Sequence, residues 1–398
     1  MDAHGPGMLA YGGFHMRRIL LGSTALAAVA VLVAPGAASA EEGLKLTLGG
    51  RYLAAFGGLI GEDENLAPTD PRGQLRDYVM KQDVEIHFKG ETTFDNGLTV
   101  GVRVELEGQT SATDQIDAVY AYFDTKWGEL RFGDTLESLA SLCYTVPSAS
   151  NIFGADSPIF NFSNAGVEGY AGTNGTCYGI DSKSTKVVYF SPTFSGFNFA
   201  VSFTPDDTED TRNTTAGAAT RFNNNLGQNS ENISVAATYE REFNGFGFVI
   251  GGGGSFSLDR EYPDGFTVHS DNREELNAYA QIRYAGFTLG GAYSYRDAVF
   301  EDFAPGGDID NEVFGAGATY AWSRYAVGMG WTRGRYENGG IVGSDQYDVY
   351  ALTGSYVLGP GITIDGLLGY SDYEGASPFR DFTDYQAVEI GLGTSVRF

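Results

Sequence analysis

Positive charge is scarce in this chain. Its 25 Lys and Arg stand against 51 Asp and Glu, for a formal net charge of −26 over 398 residues. Nothing so acidic neutralises a phosphate backbone, which excludes nucleic acid as a partner. Histidine is also sparse: of four, only His87 and His269 lie beyond residue 40. Neither stands in a recognisable catalytic motif, so a Ser-His-acid hydrolase lacks its usual base and no enzyme is expected. There are two cysteines, Cys143 and Cys177, too few for a metal centre without nearby ligands. Beyond residue 40 no run of 18 apolar residues occurs, which excludes a membrane-spanning helix there.

What is abundant points the other way. The 56 Gly are about twice average usage, and each Gly in a helix interior costs about 1 kcal/mol relative to Ala. A helical protein is therefore a poor reading. Apolar residues at 42%, rich in Tyr (24) and Phe (27), give enough to bury and argue against disorder. Gly251 to Gly254 lacks the Lys-Ser/Thr of a phosphate loop and reads as close strand packing instead. An acidic all-β chain remains.

Met16-Arg17-Arg18 leads into the apolar run Ile19 to Ala34, then Pro35-Gly36 and Ala38-Ser39-Ala40. A basic head, a short apolar stretch and an A-x-A ending make a secretory signal peptide. Residues 1–40 are thus expected to be an N-terminal extension and signal peptide, with Met16 the alternative start, and 41–398 a single barrel domain. Export to an oxidising compartment makes Cys143–Cys177 a candidate disulfide, with two free thiols the alternative.

Period-two alternation recurs through the rest. Val84, Ile86 and Phe88 alternate with Glu85, His87 and Lys89; Val100, Val102 and Val104 alternate with Gly101, Arg103 and Glu105. Such segments are strands with one apolar and one polar face. Tight-turn chemistry marks seven short connections, among them Asp95-Asn96-Gly97, Asn244-Gly245 and Ala285-Gly286. Between them lie eight long polar ones, at about 60–80, 109–115, 134–183, 205–230, 259–274, 297–310, 336–345 and 374–383. Strict short/long alternation predicts an all-β, 16-stranded antiparallel up-and-down barrel. Aromatics near the strand ends, including Tyr52, Phe56, Tyr284, Tyr320, Trp322, Tyr370 and Tyr373, read as the girdle of a lipid-facing wall. At sixteen strands side chains cannot fill the lumen, which should hold water.

Three stretches resemble the general diffusion porins of Gram-negative outer membranes, of the alphaproteobacterial type. Gly128 to Asp134 is similar to that family's fifth strand, Tyr189 to Phe197 to its sixth-to-seventh strand hairpin, and Val396-Arg397-Phe398 to the terminal signal its assembly machinery reads. The resemblance implies a homotrimer in the outer membrane, in contact with its lipid and lipopolysaccharide. It also implies a long third loop, here 134–183, folded inward to constrict each channel. The loop departs from the enterobacterial pattern: Asn151 to Asp156 stands where a Pro-Glu-Phe-Gly-Gly stretch is found, and the Cys143–Cys177 pair is not a family feature.

A constriction needs acids on the loop facing bases on the wall, where low-dielectric walls focus the field. The loop offers Glu137, Asp156, Glu168 and Asp181. Parity puts Lys45, Arg51, Arg103 and Arg131 on the polar face, opposite Leu48, Val102 and Phe132. Arg51, Arg103, Arg131, Asp156, Glu168 and Glu137 are the candidate constriction. The alternative for each base is a lumenal pair with a neighbouring acid, as Arg103 with Glu105 or Glu107. Excess acid predicts weak cation preference. No cofactor is expected; Asp206, Asp207, Asp308 and Asp310 in acidic loops are candidate Ca²⁺ ligands, without EF-hand spacing. Passive diffusion of small hydrophilic solutes and ions is the leading function. A substrate-selective porin, a plugged structural or adhesive barrel, and a secreted binding module are the alternatives. Tyr120 and Tyr122, on one face of the fourth strand, would serve the first of these.

Overall fold

Asn244 and Gly245 show how the chain reverses: both have positive φ, 50° and 77°. That is the backbone of a type I′ turn, whose twist matches the right-handed twist of the strands it joins. Ala285-Gly286 repeats it at 49° and 87°. Turns of this kind join long strands in a computed structural model that describes residues 43–64, 76–108, 115–156, 162, 174–177, 179–181, 183–206, 229–260, 273–300, 309–338, 344–375 and 384–398.

Among the described residues there are sixteen strands: β1 (Lys45–Glu64), β2 (Tyr78–Thr93), β3 (Thr99–Glu107), β4 (Ile116–Thr125), β5 (Gly128–Asp134), β6 (Thr185–Phe190), β7 (Phe197–Asp206), β8 (Asn229–Phe243), β9 (Phe246–Arg260), β10 (Glu274–Tyr284), β11 (Phe287–Phe300), β12 (Ile309–Trp322), β13 (Tyr325–Asn338), β14 (Ser344–Gly359), β15 (Ile362–Glu374) and β16 (Asp384–Arg397). A single turn of helix, α1 (Ser138–Ser141), sits in the connection after β5. Every strand pairs antiparallel with its sequence neighbours, and β1 closes on β16 with Arg51 opposite Arg397. Closure leaves no edge strand, so the backbone is satisfied within the wall.

The two faces are chemically opposite. Leu48, Phe88, Val102 and Phe132 are 61%, 47%, 48% and 56% exposed, all on the outer face. A wall of such side chains is stable only against hydrocarbon. Trp322, Tyr325 and Tyr356 form one outward aromatic row, Trp331, Tyr350 and Tyr370 another, with rings in contact along each. Tyr373 departs from the girdle expectation. Its odd parity turns it inward, where it is buried with Tyr347 and Tyr385.

The inner face is polar and carries buried groups: Lys186, Glu275, Asp365 and Glu389 are all at most 2% exposed. They are covered by the third connection, described next.

Candidate functional site

The described part of the connection between β5 and β6 lies along inward-facing side chains of β7 to β16. Ser138 N donates to Ser202 Oγ (3.1 Å) and Leu139 N to Ser234 Oγ (2.9 Å). Tyr279 donates to Leu142 O (2.5 Å) and Gln281 to Thr145 O (2.9 Å). Further on, Asn151 N donates to Asp365 Oδ1 (2.8 Å) and Phe162 N to Glu389 Oε2 (2.6 Å). Between these side chains, glycines clear the wall at points where the loop rests. A Cβ on Gly391 would come within 3.1 Å of the Phe153 and Phe162 rings, and one on Gly317 within 2.8 Å of Val146. Part of the glycine excess thus makes room for the loop.

Cys143 and Cys177 are disulfide-bonded, closing 34 residues of this connection. The bond sits against β10, where Asn277 donates to Cys143 Sγ at 3.3 Å.

The loop acids do not meet the lumen as expected. Asp156 is part-buried and spends its carboxylate on the loop itself: it accepts from Val146 N (3.1 Å), Thr176 N (2.9 Å) and the Thr176 hydroxyl. Burial raises its carboxyl, against the pull of those hydrogen bonds. Glu137 is fully buried and accepts from Ser255 Oγ of β9 (2.7 Å). It faces wall rather than water, because α1 presses the start of the loop onto β7 to β9. Glu168 lies outside the described residues. Among the described residues of the loop, the positions that remain exposed are neutral: Leu136, Thr145, Ser148 and Asn151.

Burial first, and the charge of Asp181 second, push the Glu137 carboxyl well above its ordinary value of 4.5. A carboxyl raised in the folded state contributes stability at low pH that is lost as pH rises through its folded value. Glu137→Gln should therefore raise the unfolding midpoint at about pH 8 and flatten its decline above pH 4.5. Urea unfolding at several pH values reads this; an unchanged midpoint at alkaline pH would contradict it.

The bases stand where parity put them, on the inner face of β1, β3 and β5, and each is held by acids on that same wall. Arg51 Nη2 donates to Asp83 Oδ2 (2.9 Å) and Glu85 Oε1 (2.6 Å). Arg103 Nε lies 2.7 Å from Glu105 Oε1, and Arg131 Nε donates to Glu129 Oε1 (2.5 Å). The three side chains remain 37%, 34% and 27% exposed, so ions can reach them. Arg131 lies over the Phe190 ring (4.5 Å) and the Tyr120 ring (5.1 Å), and Lys89 over Tyr122 (5.2 Å). Tyr120 and Tyr122 do face inward, but beneath these cations they are only 8% and 5% exposed. They offer a solute no open ring face.

Glu105 is the partner that the alternative reading of Arg103 named; sequence reasoning missed the partner acids Asp83, Glu85, Glu129 and Asp117, although the alternation that placed Val84 and Val102 outward implied most of them. It also missed Lys183, which bonds Asp117 and lies 3.6 Å from Glu105 at the root of the loop. Two groups, Glu85–His87–Glu105 and Glu85–Glu107–Asp117, bring ligand atoms within 4.8 Å. Arg51, Arg103 and Lys183 already pair with Glu85, Glu105 and Asp117, so these groups read mainly as interlocked ion pairs. Of the candidate calcium ligands, Asp207 and Asp308 lie outside the described residues; Asp206 ends β7 and Asp310 is in β12, five strands away.

Comparison with known proteins places this geometry. A family model described as Gram-negative porin matches residues 24–376. The chitoporin of Vibrio furnissii is 29% identical over 210 residues, covering 49% of this chain and 51% of that protein. The chain thus spans about half the length of this curated relative. Among solved structures, OmpT of Vibrio cholerae in its trimer form has a TM-score of 0.57 at 13% identity, covering 90% of this chain and all of that one. An anion-selective porin from Comamonas acidovorans gives 0.57 at 14% identity, covering 89% of this chain and all of its own. At such identities these structures share the fold alone. Over most of its length the chain matches one family, and its closed sixteen-stranded barrel has that family's architecture: it belongs to the Gram-negative porins, channels of the outer membrane.

Proposed function

We propose that the chain is a general porin: a water-filled channel for passive diffusion of small hydrophilic solutes and ions, with a modest preference for cations. The observation that carries this reading is the division of the inner wall. The described part of the third loop covers inward faces of β7 to β16, while Arg51, Arg103 and Arg131, on β1, β3 and β5, stay accessible. Ions then pass between a charged wall and a loop whose exposed described positions are neutral. The field runs mainly along the wall, from acid to paired base, so it orients dipolar solutes less than a field across the gap. Arg51, Arg103 and Arg131 are each matched by at least one acid, and the chain's excess of acid over base tilts the balance towards cations.

We also propose a homotrimer surrounded by outer-membrane lipid and lipopolysaccharide. The trimer form of OmpT supports the assembly, and the outward Leu44, Leu46, Leu48 and Met80, 61% to 80% exposed, offer an aliphatic flank for a second copy. The similarity to a chitoporin favours a second reading, a pore selective for chitin-derived sugars.

Planar-bilayer recording of residues 41–398 in a KCl gradient tests the proposal. Stable steps with a reversal potential of cation-favouring sign support it. Insertion without steps would mean a plugged barrel. Block by chito-oligosaccharides, absent with other sugars of the same size, would favour the second reading.

A further inference from the structure

Two of the accessible arginines are joined through one imidazole. Arg103 Nη2 lies 3.1 Å from His87 Nδ1, and His87 Nε2 lies 2.8 Å from Glu85 Oε2. The other oxygen of Glu85 accepts from Arg51 at 2.6 Å. A guanidinium only donates, so Nδ1 must accept; the ring proton is then on Nε2, which donates to the carboxylate. The arrangement fits a neutral imidazole and no other protonation state.

We infer that His87 is a positioning residue that sets the ion preference of the pore: as a neutral ring it holds Arg103 against the wall, and as an imidazolium it releases it. This rests on the porin reading above. The proton arrives from water on Nδ1. That nitrogen then donates, and faces the N–H of Arg103 with no acceptor between them. The Arg103 bond to the ring is lost, while the Nε2 bond to Glu85 becomes charge-assisted. Arg103 keeps Glu105, 2.7 Å from its Nε. The lumen gains the imidazolium charge and an arginine freed at one end.

The charged groups around the ring are mixed in sign. On β2 itself stand Glu85 and Lys89; β1 contributes Arg51; β3 contributes Arg103 and Glu105. Lys183, at the loop root, reaches Glu105 and Asp117 of β4. Imidazole is the side chain whose charge ordinarily changes between about pH 5 and pH 8.

The test is the reversal potential in a KCl gradient, recorded at about pH 8 and about pH 5.5 to bracket that range. One added charge in a watery lumen, about 10 Å from the ion path and screened by salt of about 0.1 M, should lower the cation-over-anion permeability ratio about two-fold in the native protein. His87→Gln places an amide oxygen towards Arg103 and an amide N–H towards Glu85, neutral at every pH. It should keep the native alkaline ratio and lose the part of the shift due to His87. The lumenal carboxylates titrate in both proteins, so the difference between them isolates the imidazole. His87→Lys should show the low ratio already at about pH 8. If His87→Gln shifts with pH as the native protein does, the inference is overturned while the porin reading stands. If no variant, nor the native chain, conducts, both fall.

Discussion

Replacing Arg51, Arg103 and Arg131 together with alanine is expected to raise the cation-over-anion permeability ratio about eight-fold. The size follows from Coulomb's law: a unit charge about 10 Å from the ion path in water acts with opposite sign on cation and anion, shifting their ratio about four-fold unscreened and about two-fold once salt of about 0.1 M screens it, and three act in the same direction. Removing each guanidinium also uncovers its partner, Asp83 and Glu85, Glu105, or Glu129, which adds to the effect. Conductance should rise modestly, because Arg131 no longer lies over Tyr120 and Phe190. Folding should survive, since all three side chains keep contact with water and their ion pairs are only part-buried. Reversal potentials and step sizes from the same bilayer recordings read both quantities. An unchanged ratio would place these arginines off the ion path and remove the basis for the proposed selectivity.

The second large effect is on stability, at the root of the third loop. Lys186 and Asp181 are fully buried side chains with N and O 3.3 Å apart. Lys186 also donates to Thr135 O and Ser184 O, each at 2.6 Å, at the two ends of the loop. Lys186→Met leaves Asp181 buried without its cation and should cost about 3 to 5 kcal/mol. The loop ends should loosen first, so proteolysis within the loop should accelerate before the barrel unfolds. Adding Asp181→Asn and Glu137→Gln to Lys186→Met removes the stranded charge and should recover most of the loss, because a buried pair is often no better than a neutral replacement. A native urea midpoint for Lys186→Met alone would show that this pair does not hold the loop.

The same region shows where sequence reading stops. Glu137 and Asp156 were plausible pore acids because they stand in the right connection. Their neighbours in sequence say nothing of Ser255, 118 positions from Glu137, or of Thr176, which captures Asp156. Likewise Tyr120 and Tyr122 were legible as a pair on one face, but their covering cations come from β5 and β2. His87 was legible as a lumenal residue of β2; its link to Arg103 depends on the β2–β3 register that sets Lys89 opposite Arg103.

The barrel is legible in local pattern alone: the number of strands, the place of each turn, and which face of β1, β2, β3 and β5 looks inward. These are local matters. Side chains alternate with a period of two, and a turn such as Asn244-Gly245 is decided by the backbone freedom of two residues. Only the tertiary structure decided which loop acids reach water and which acid holds each base. Contacts such as Asn151 with Asp365, 214 positions apart, depend on closure of the whole wall and on the bare glycine surface it presents to the loop, and no local pattern carries that information.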